Sequence, residues 1–412
     1  MVVQHNMQAM NSNRMLGVTT NLQAKSTEKL SSGYKINRAA DDAAGLSISE
    51  KMRKQINGLD RASTNAQDGV SAVQTAEGAL TEVHSMLQRM NELAVQAANG
   101  TNSTSDRQSL QNEIDQLTTE IDRVAETTKF NETYLLKGDV DGNTKSVQLK
   151  GHDAGIKGKF AETTTAGTYK LTVSDLAAGN TLNIGGVEYS IKADSNINNK
   201  ELSVADAKKM IIEELTKANN VGITGAGVDT AGSWNAAGTS YTAATFNNVT
   251  GKPTVTALSD TEFQVVVGSV TTEKALSFNL HVGADADMTN KIGVDINTMN
   301  STFLGVKGLD VVGAANDNGI TATYAIDAIA DAVQKVSDQR SALGAIQNRL
   351  EHTIANVDNV VENTTAAESR IRDTDMAEEM VTYSKNNILA QAGQSMLAQA
   401  NQSTQGVLSL LG

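Results

Sequence analysis

The residues best suited to chemistry near neutral pH are five histidines, His5, His84, His152, His281 and His352, and each stands alone. None has a partner at metal-ligand or nucleophile spacing, and no His-Glu-x-x-His occurs. Each is therefore expected to be solvated or packed. The run Asp139-Val140-Asp141-Gly142-Asn143 has the flavour of a calcium loop. Its glycine comes two positions early, however, and no glutamate stands at the twelfth position, so a turn is expected. Gly222-Ile223-Thr224-Gly225-Ala226-Gly227 lacks the preceding strand and following lysine of a phosphate cradle and reads as a loop. Charged neighbours such as Glu113 with Arg107 and Lys129 read as solvated faces. With no cysteine, there is no disulfide, no thiolate nucleophile and no cysteine-ligated metal. No catalytic residue, cofactor or metal site is expected.

If no site organises the chain, its helices must. From Ile326 to Val361, apolar residues fall at Ile326, Ile329, Val333, Val336, Leu343, Leu350, Ile354, Val357 and Val361, with Arg340 and Gln347 in two further seam positions. Steps of three and four make a heptad seam that partner helices must cover. Candidates lie near the other end. A long helix is predicted from about Ala43 to Ala98, with a seam at Ala66, Gly69, Val73, Ala76, Leu80, Val83, Leu87, Met90, Ala94 and Ala97. A second, about Asp106 to Glu126, carries Leu110, Ile114, Leu117, Ile121 and Val124, and the short turn between them makes the two antiparallel. The two ends of the chain are thus expected to meet in a bundle with the middle looped out.

That middle, residues 141–274, is rich in Gly, Thr, Asn and Ala. Strands are predicted at Thr168–Ser174, Thr254–Leu258, Phe263–Val270 and Leu276–Val282, with a hairpin of 181–184 and 187–191 turning on Gly185-Gly186. One helix interrupts them, capped by Ser203 with Asp206 three residues on. The ends of this β-rich insert should lie close together. The two chain termini are weaker patterns. Residues 1–35 carry Val3, Met7, Met10, Met15, Val18, Leu22 and Leu30 among polar neighbours. The last segment carries Met376, Met380, Tyr383, Leu389, Met396 and Ala400, then ends Val407-Leu408-Ser409-Leu410-Leu411. Neither would bury enough surface to stand alone, so oligomerisation is expected.

Composition narrows the class. A single proline, Pro253, permits long unbroken helices, and aromatics make up only 3% of 412 residues. A net charge of −13 argues against nucleic-acid binding. No stretch approaches the ~20 apolar residues of a membrane helix, and the first residues lack a signal-peptide core. A soluble chain is expected, or one exported without a cleaved signal.

The two ends resemble bacterial flagellin. The N-terminal markers include Lys29-Leu30-Ser31-Ser32-Gly33, Asp41-Asp42-Ala43-Ala44-Gly45, Asn65-Ala66-Gln67-Asp68-Gly69 and Glu92-Leu93-Ala94-Val95-Gln96. The C-terminal markers include Arg340-Ser341-Ala342-Leu343-Gly344, Gln347-Asn348-Arg349, Gln391-Ala392-Gly393 and Met396-Leu397-Ala398-Gln399-Ala400-Asn401. The resemblance implies a mainly α fold, a long helical coiled-coil bundle built from both termini, with a β-rich (α+β) outer domain inserted. Inner terminal helices would occupy 1–43 and 370–412, the bundle 44–140 and 275–369, and the variable outer domain 141–274. It implies a structural subunit, exported unfolded by the flagellar type III route, that polymerises with copies of itself into the extracellular filament of the bacterial flagellum and drives swimming. Expected partners are an export chaperone and the filament cap and hook-associated proteins. Polymerisation would rest on Leu30, Met376, Leu389, Met396, Leu397, Val407, Leu408, Leu410 and Leu411. A further partner is the host flagellin-sensing Toll-like receptor 5, with Arg89, Leu93 and Glu113 matching its contact positions. This sequence departs from many relatives at Met90-Asn91, beside those contacts. The alternatives are a hook-associated junction protein of the same superfamily and a flagellin whose outer domain is an enzyme; the second has only His152 and no zinc-protease motif to draw on.

Overall fold

The computed structural model describes residues 6–139, 142–223, 228–247, 249, 251–313 and 319–409, with side chains described to Ser403. Seven α-helices occur among them: α1 (Met7–Ser32), α2 (Ala43–Ala97), α3 (Thr104–Thr127), α4 (Val204–Asn220), α5 (Ser301–Leu304), α6 (Ile320–Arg372) and α7 (Met376–Ser409). The chain divides into two compact units. One holds residues 1–66, 281–291 and 352–412, the other 67–280 and 292–351, so α2 and α6 contribute to both.

In the larger unit, α2, α3 and α6 share one core. Every α2 seam residue from Ala66 to Ala97 is buried. Leu80, Leu87, Ile114, Ile121, Ile329, Val336 and Leu343 belong to the same cluster as Val73 and Met90. On α6 the seam separates into two rows, each with a step of seven. Ile329, Val336, Leu343, Leu350 and Val357 are buried, whereas Ile326, Val333, Arg340, Gln347, Ile354 and Val361 are half-buried. α6 itself runs further than the 326–361 seam in both directions, because apolar spacing marks only the stretch with a partner and helix continues without one.

α2 ends where Arg107, itself buried, donates from Nε to the Ala97 carbonyl at 3.0 Å, supplying a partner that a helix C-terminus otherwise lacks. Across the turn Ser103 caps α3, its hydroxyl accepting from the Asp106 amide while the Asp106 carboxylate accepts from the Ser103 amide. Side chains then hold the returning segment as a neighbouring strand would. Gln111 donates to the Leu309 carbonyl at 2.7 Å and accepts from the Val311 amide at 2.8 Å. Gln339 serves Asn297 and the Asp295 carbonyl, and Asp122 accepts from the amide and hydroxyl of Ser301. Lys335 reaches the Phe303 and Leu304 carbonyls at the end of α5 at 2.9 and 3.2 Å, and burial pushes its pKa down to about 8.

The strand-rich insert has its own core, with Leu171, Ile191, Ile211, Leu215 and Phe263, joined by Tyr324 from the start of α6. Its strands form small sheets. A four-stranded antiparallel sheet orders 254–257, 262–266, 168–172 and 159–162, and a three-stranded one orders 181–184, 187–192 and 201–203. The hairpin forms as expected, with Gly185 and Gly186 at φ 57° and 76°, a pair of left-handed residues that a primed turn requires. Ser203 caps α4, its hydroxyl accepting from the Asp206 amide. Entry and exit also meet: strand 144–148 pairs antiparallel with 269–273, Gln148 opposite Ser269 and Thr144 opposite Glu273.

One strand expectation is corrected. Phe263–Val270 is two strands, Glu262–Val266 in the four-stranded sheet and Ser269–Glu273 beside 144–148. A Cβ on Gly268 would stand 2.1 Å from the Ile223 side chain. The glycine permits that close approach and the change of sheet, which an unbroken apolar run conceals. Several two-residue strands and 228–230 escaped the sequence reading because such short runs carry little period-2 signal; the 291–296 strand escaped it too, although its residues alternate between exposed and buried.

The smaller unit contains α1, α7, the first part of α2 and the last part of α6. α2 and α6 are antiparallel here, with Ser63 donating to Asp358 and Ser49 to Glu368, both at 3.0 Å. The 281–291 turn lies against α2, where Asn65 donates to the His281 carbonyl at 3.0 Å.

Candidate functional site: two exposed helical surfaces

α1 and α7 pair along their length, antiparallel. Near one end Asn6 donates to the Ala400 carbonyl at 3.0 Å, and near the other Lys29 meets Glu379 at 3.5 Å. Little is buried between them: Ser26 on α1, and Asn386 and Ala390 on α7. Most of the large apolar residues instead face outward. Among the described residues, eleven of the eighteen exposed large hydrophobics lie on these two helices, with Met7 and Val381 70% exposed and Ile388 66%. Burial in a neighbour is the ordinary fate of such a surface.

The expected assembly residues fall on it unevenly. Met376, Leu389 and Met396 are exposed, while Leu30 and Leu397 are half-buried. Val407 and Leu408 lie in the last turns of α7, beyond the described side chains, and Leu410 and Leu411 lie outside the described residues.

The second surface is the α2–α3 face of the larger unit. Arg89 donates from Nε to Glu113 at 2.8 Å and from Nη1 to Glu92 at 3.1 Å. All three side chains are solvent-accessible, and the Glu113 carboxylate, followed by Glu92, raises the Arg89 pKa above its ordinary value. Leu93, the other matched α2 position, is 1% exposed and packs in the bundle core. The apolar residue that does reach solvent is Val95, 52% exposed.

No group of three or more His, Cys, Asp or Glu could hold a metal ion among the described residues, and no described helix is long and apolar enough to cross a membrane. In the calcium-like run Asn143 donates to Asp139 at 3.1 Å, while Val140 and Asp141 lie outside the described residues, as do Thr224–Gly227 of the glycine-rich run. The buried Glu213 is committed to Tyr241, whose hydroxyl donates to it at 2.5 Å, and to Lys217 at 2.9 Å.

Comparison with known proteins bears on the helices that carry these two surfaces. Residues 3–141 match the bacterial flagellin N-terminal helical region, and residues 326–411 match the bacterial flagellin C-terminal helical region. The chain belongs to the bacterial flagellin family. Among relatives, this flagellin is 43% identical to the flagellin of Clostridium tyrobutyricum over 98% of its own length and 100% of the other's. It is 38% identical to the flagellin of Halalkalibacterium halodurans, and 36% identical to the flagellar filament 31.3 kDa core protein of Treponema maltophilum, with 100% of each chain covered in both cases. The two matched regions hold α1–α3 and nearly all of α6 and α7, and they flank the strand-rich insert.

Proposed function

We propose that this flagellin is the self-assembling subunit of an extracellular flagellar filament that drives swimming. The carrying observation is the concentration of exposed apolar side chains on α1 and α7. A folded monomer leaves that surface in water, and repeated copies stacked by a non-closing contact would cover it and generate a helix. The layout that fits is an inner layer from 1–43 and 370–412, a bundle from 44–140 and 275–369, and an outer domain from 141–274. Export unfolded, with a chaperone holding the ends, suits termini that bury so little by themselves; cap and hook-associated proteins would complete the assembly. Electron microscopy of the purified chain after seeding or salt-induced polymerisation tests this reading. Long helical filaments are expected, and a preparation that stays monomeric under all such conditions would refute it.

The protein acts without catalysis in this reading. No turnover of peptides or glycans is expected, and reproducible hydrolysis lost on deletion of 141–274 would overturn that. A second role, as ligand of the flagellin-sensing Toll-like receptor, is supported by the accessible Arg89–Glu113 pair, since an arginine at the centre of an interface is a frequent hot spot.

A further inference from the structure

The turn from α2 to α3 carries Asn99 followed directly by Gly100, and both are exposed. Such a pair can react with itself, because a residue without Cβ lets its own amide nitrogen close on the preceding side-chain carbonyl. The contacts at Asn99 bear on that reaction. The attacking group is free, since the Gly100 amide donates to no acceptor among the described residues. The leaving group is free as well, because Asn99 Nδ2 donates to none of them either. Asn99 Oδ1, where negative charge develops during attack, accepts from the Thr101 amide at 3.2 Å, the arrangement of an oxyanion donor. The main-chain carbonyl of Asn99 has partners of its own. It accepts from the Asn102 amide at 3.1 Å and from Nη2 of Arg107 at 3.5 Å. Arg107 is buried, and its Nε is tied to the Ala97 carbonyl at 3.0 Å.

We propose that Asn99-Gly100 is a self-modifying site that converts to isoaspartate in the folded subunit, with water as the only co-reactant. The Gly100 nitrogen bonds to Cγ of Asn99, its proton leaves with Nδ2 as ammonia, and a cyclic imide remains. Water then opens the ring, adding hydroxyl to a carbonyl carbon and a proton to the nitrogen. Opening at the side-chain carbon gives aspartate, and the carbonyl beside Arg107 stays an uncharged amide. Opening at the main-chain carbon gives isoaspartate, in which the chain runs through Cγ and the former main-chain carbonyl becomes a free carboxylate. That carboxylate is created where the Asn102 amide and the Arg107 guanidinium already converge. A cation bonded to a carboxylate is held more strongly than one bonded to a neutral carbonyl, so the fold favours the isoaspartate product. The proposal stands whether or not the chain forms filaments.

The test incubates the full-length chain in mildly alkaline buffer, folded and in denaturant, and samples both over days. Isoaspartate is read by enzymatic methyl transfer to its carboxylate and located by peptide mapping, with folding followed by thermal melting. In the folded chain, isoaspartate is expected to accumulate at position 99 and to form a larger share of the product there than in denaturant. Gly100 keeps a φ outside the left-handed region, so Gly100→Ala should melt as the parent does and convert several-fold more slowly, its Cβ crowding the attacking nitrogen. Asn99→Gln, whose longer side chain misplaces the carbonyl, should lose the signal at that position. An Asn99 that stays intact in the folded chain while it converts in denaturant would overturn the site. So would conversion of Gly100→Ala at the parent rate, or an isoaspartate share no larger in the folded chain than in the denatured one.

Discussion

Arg89 and Leu93 are four residues apart on α2 and have opposite environments. The arginine bridges Glu92 and Glu113 in solvent, while the leucine fills the core. Substitutions at the two positions should therefore be read by different measurements. Arg89→Ala is expected to weaken binding to the flagellin-sensing receptor by a factor of ten or more, roughly the hot-spot range, with no change in melting temperature. Titration against the receptor ectodomain measures it, and equal affinity would rule out Arg89 as a contact. Leu93→Ala should instead cost about 2–5 kcal/mol of stability, visible in denaturant unfolding whatever its effect on the receptor. Elsewhere single side chains replace missing backbone partners: Arg107 at the end of α2, Gln111 beside 309–311 and Lys335 at the end of α5.

At the scale of elements, α6 is the informative case. Its two rows were read as one seam, and the structure ranks them, with the Ile329–Val357 row buried and the Ile326–Val361 row half-covered. Leu343→Ala removes a fully buried side chain from the first row and is expected to destabilise the bundle by about 2–5 kcal/mol. Gln347→Ala, in the second row, should change stability by less than about 0.5 kcal/mol in the isolated subunit. Chemical denaturation of both variants checks the ranking, and equal losses would contradict it. A helix boundary was readable where a cap is local, as at Ser203, and not for α6, which extends beyond its seam at both ends. Strand boundaries were less so. Whether 263–270 is one strand or two depends on Ile223 standing against Gly268, a contact across forty-five positions.

For the whole molecule, the prediction concerns the ends. Deleting Met376–Gly412 removes the partner of α1 and six of the eleven exposed large hydrophobics described on the two terminal helices, but leaves the α2–α3–α6 core of the larger unit intact. The truncated chain should retain a cooperative helical melt and form no filaments on seeding. Filaments from it by electron microscopy would contradict the proposed role of α7.

The sequence alone determined the helices, their seams, the Gly185-Gly186 hairpin and the absence of catalytic spacing. All of these are set by residues within a few positions of one another, where steric and hydrogen-bonding preferences act directly. Tertiary structure decided which face of each helix meets water. It buried Leu93, exposed Val95 and turned the methionines of α1 and α7 outward. The physical reason is that burial belongs to pairs of elements. When those elements lie hundreds of residues apart, spacing along one of them shows that a partner is needed, and only the fold shows where that partner stops.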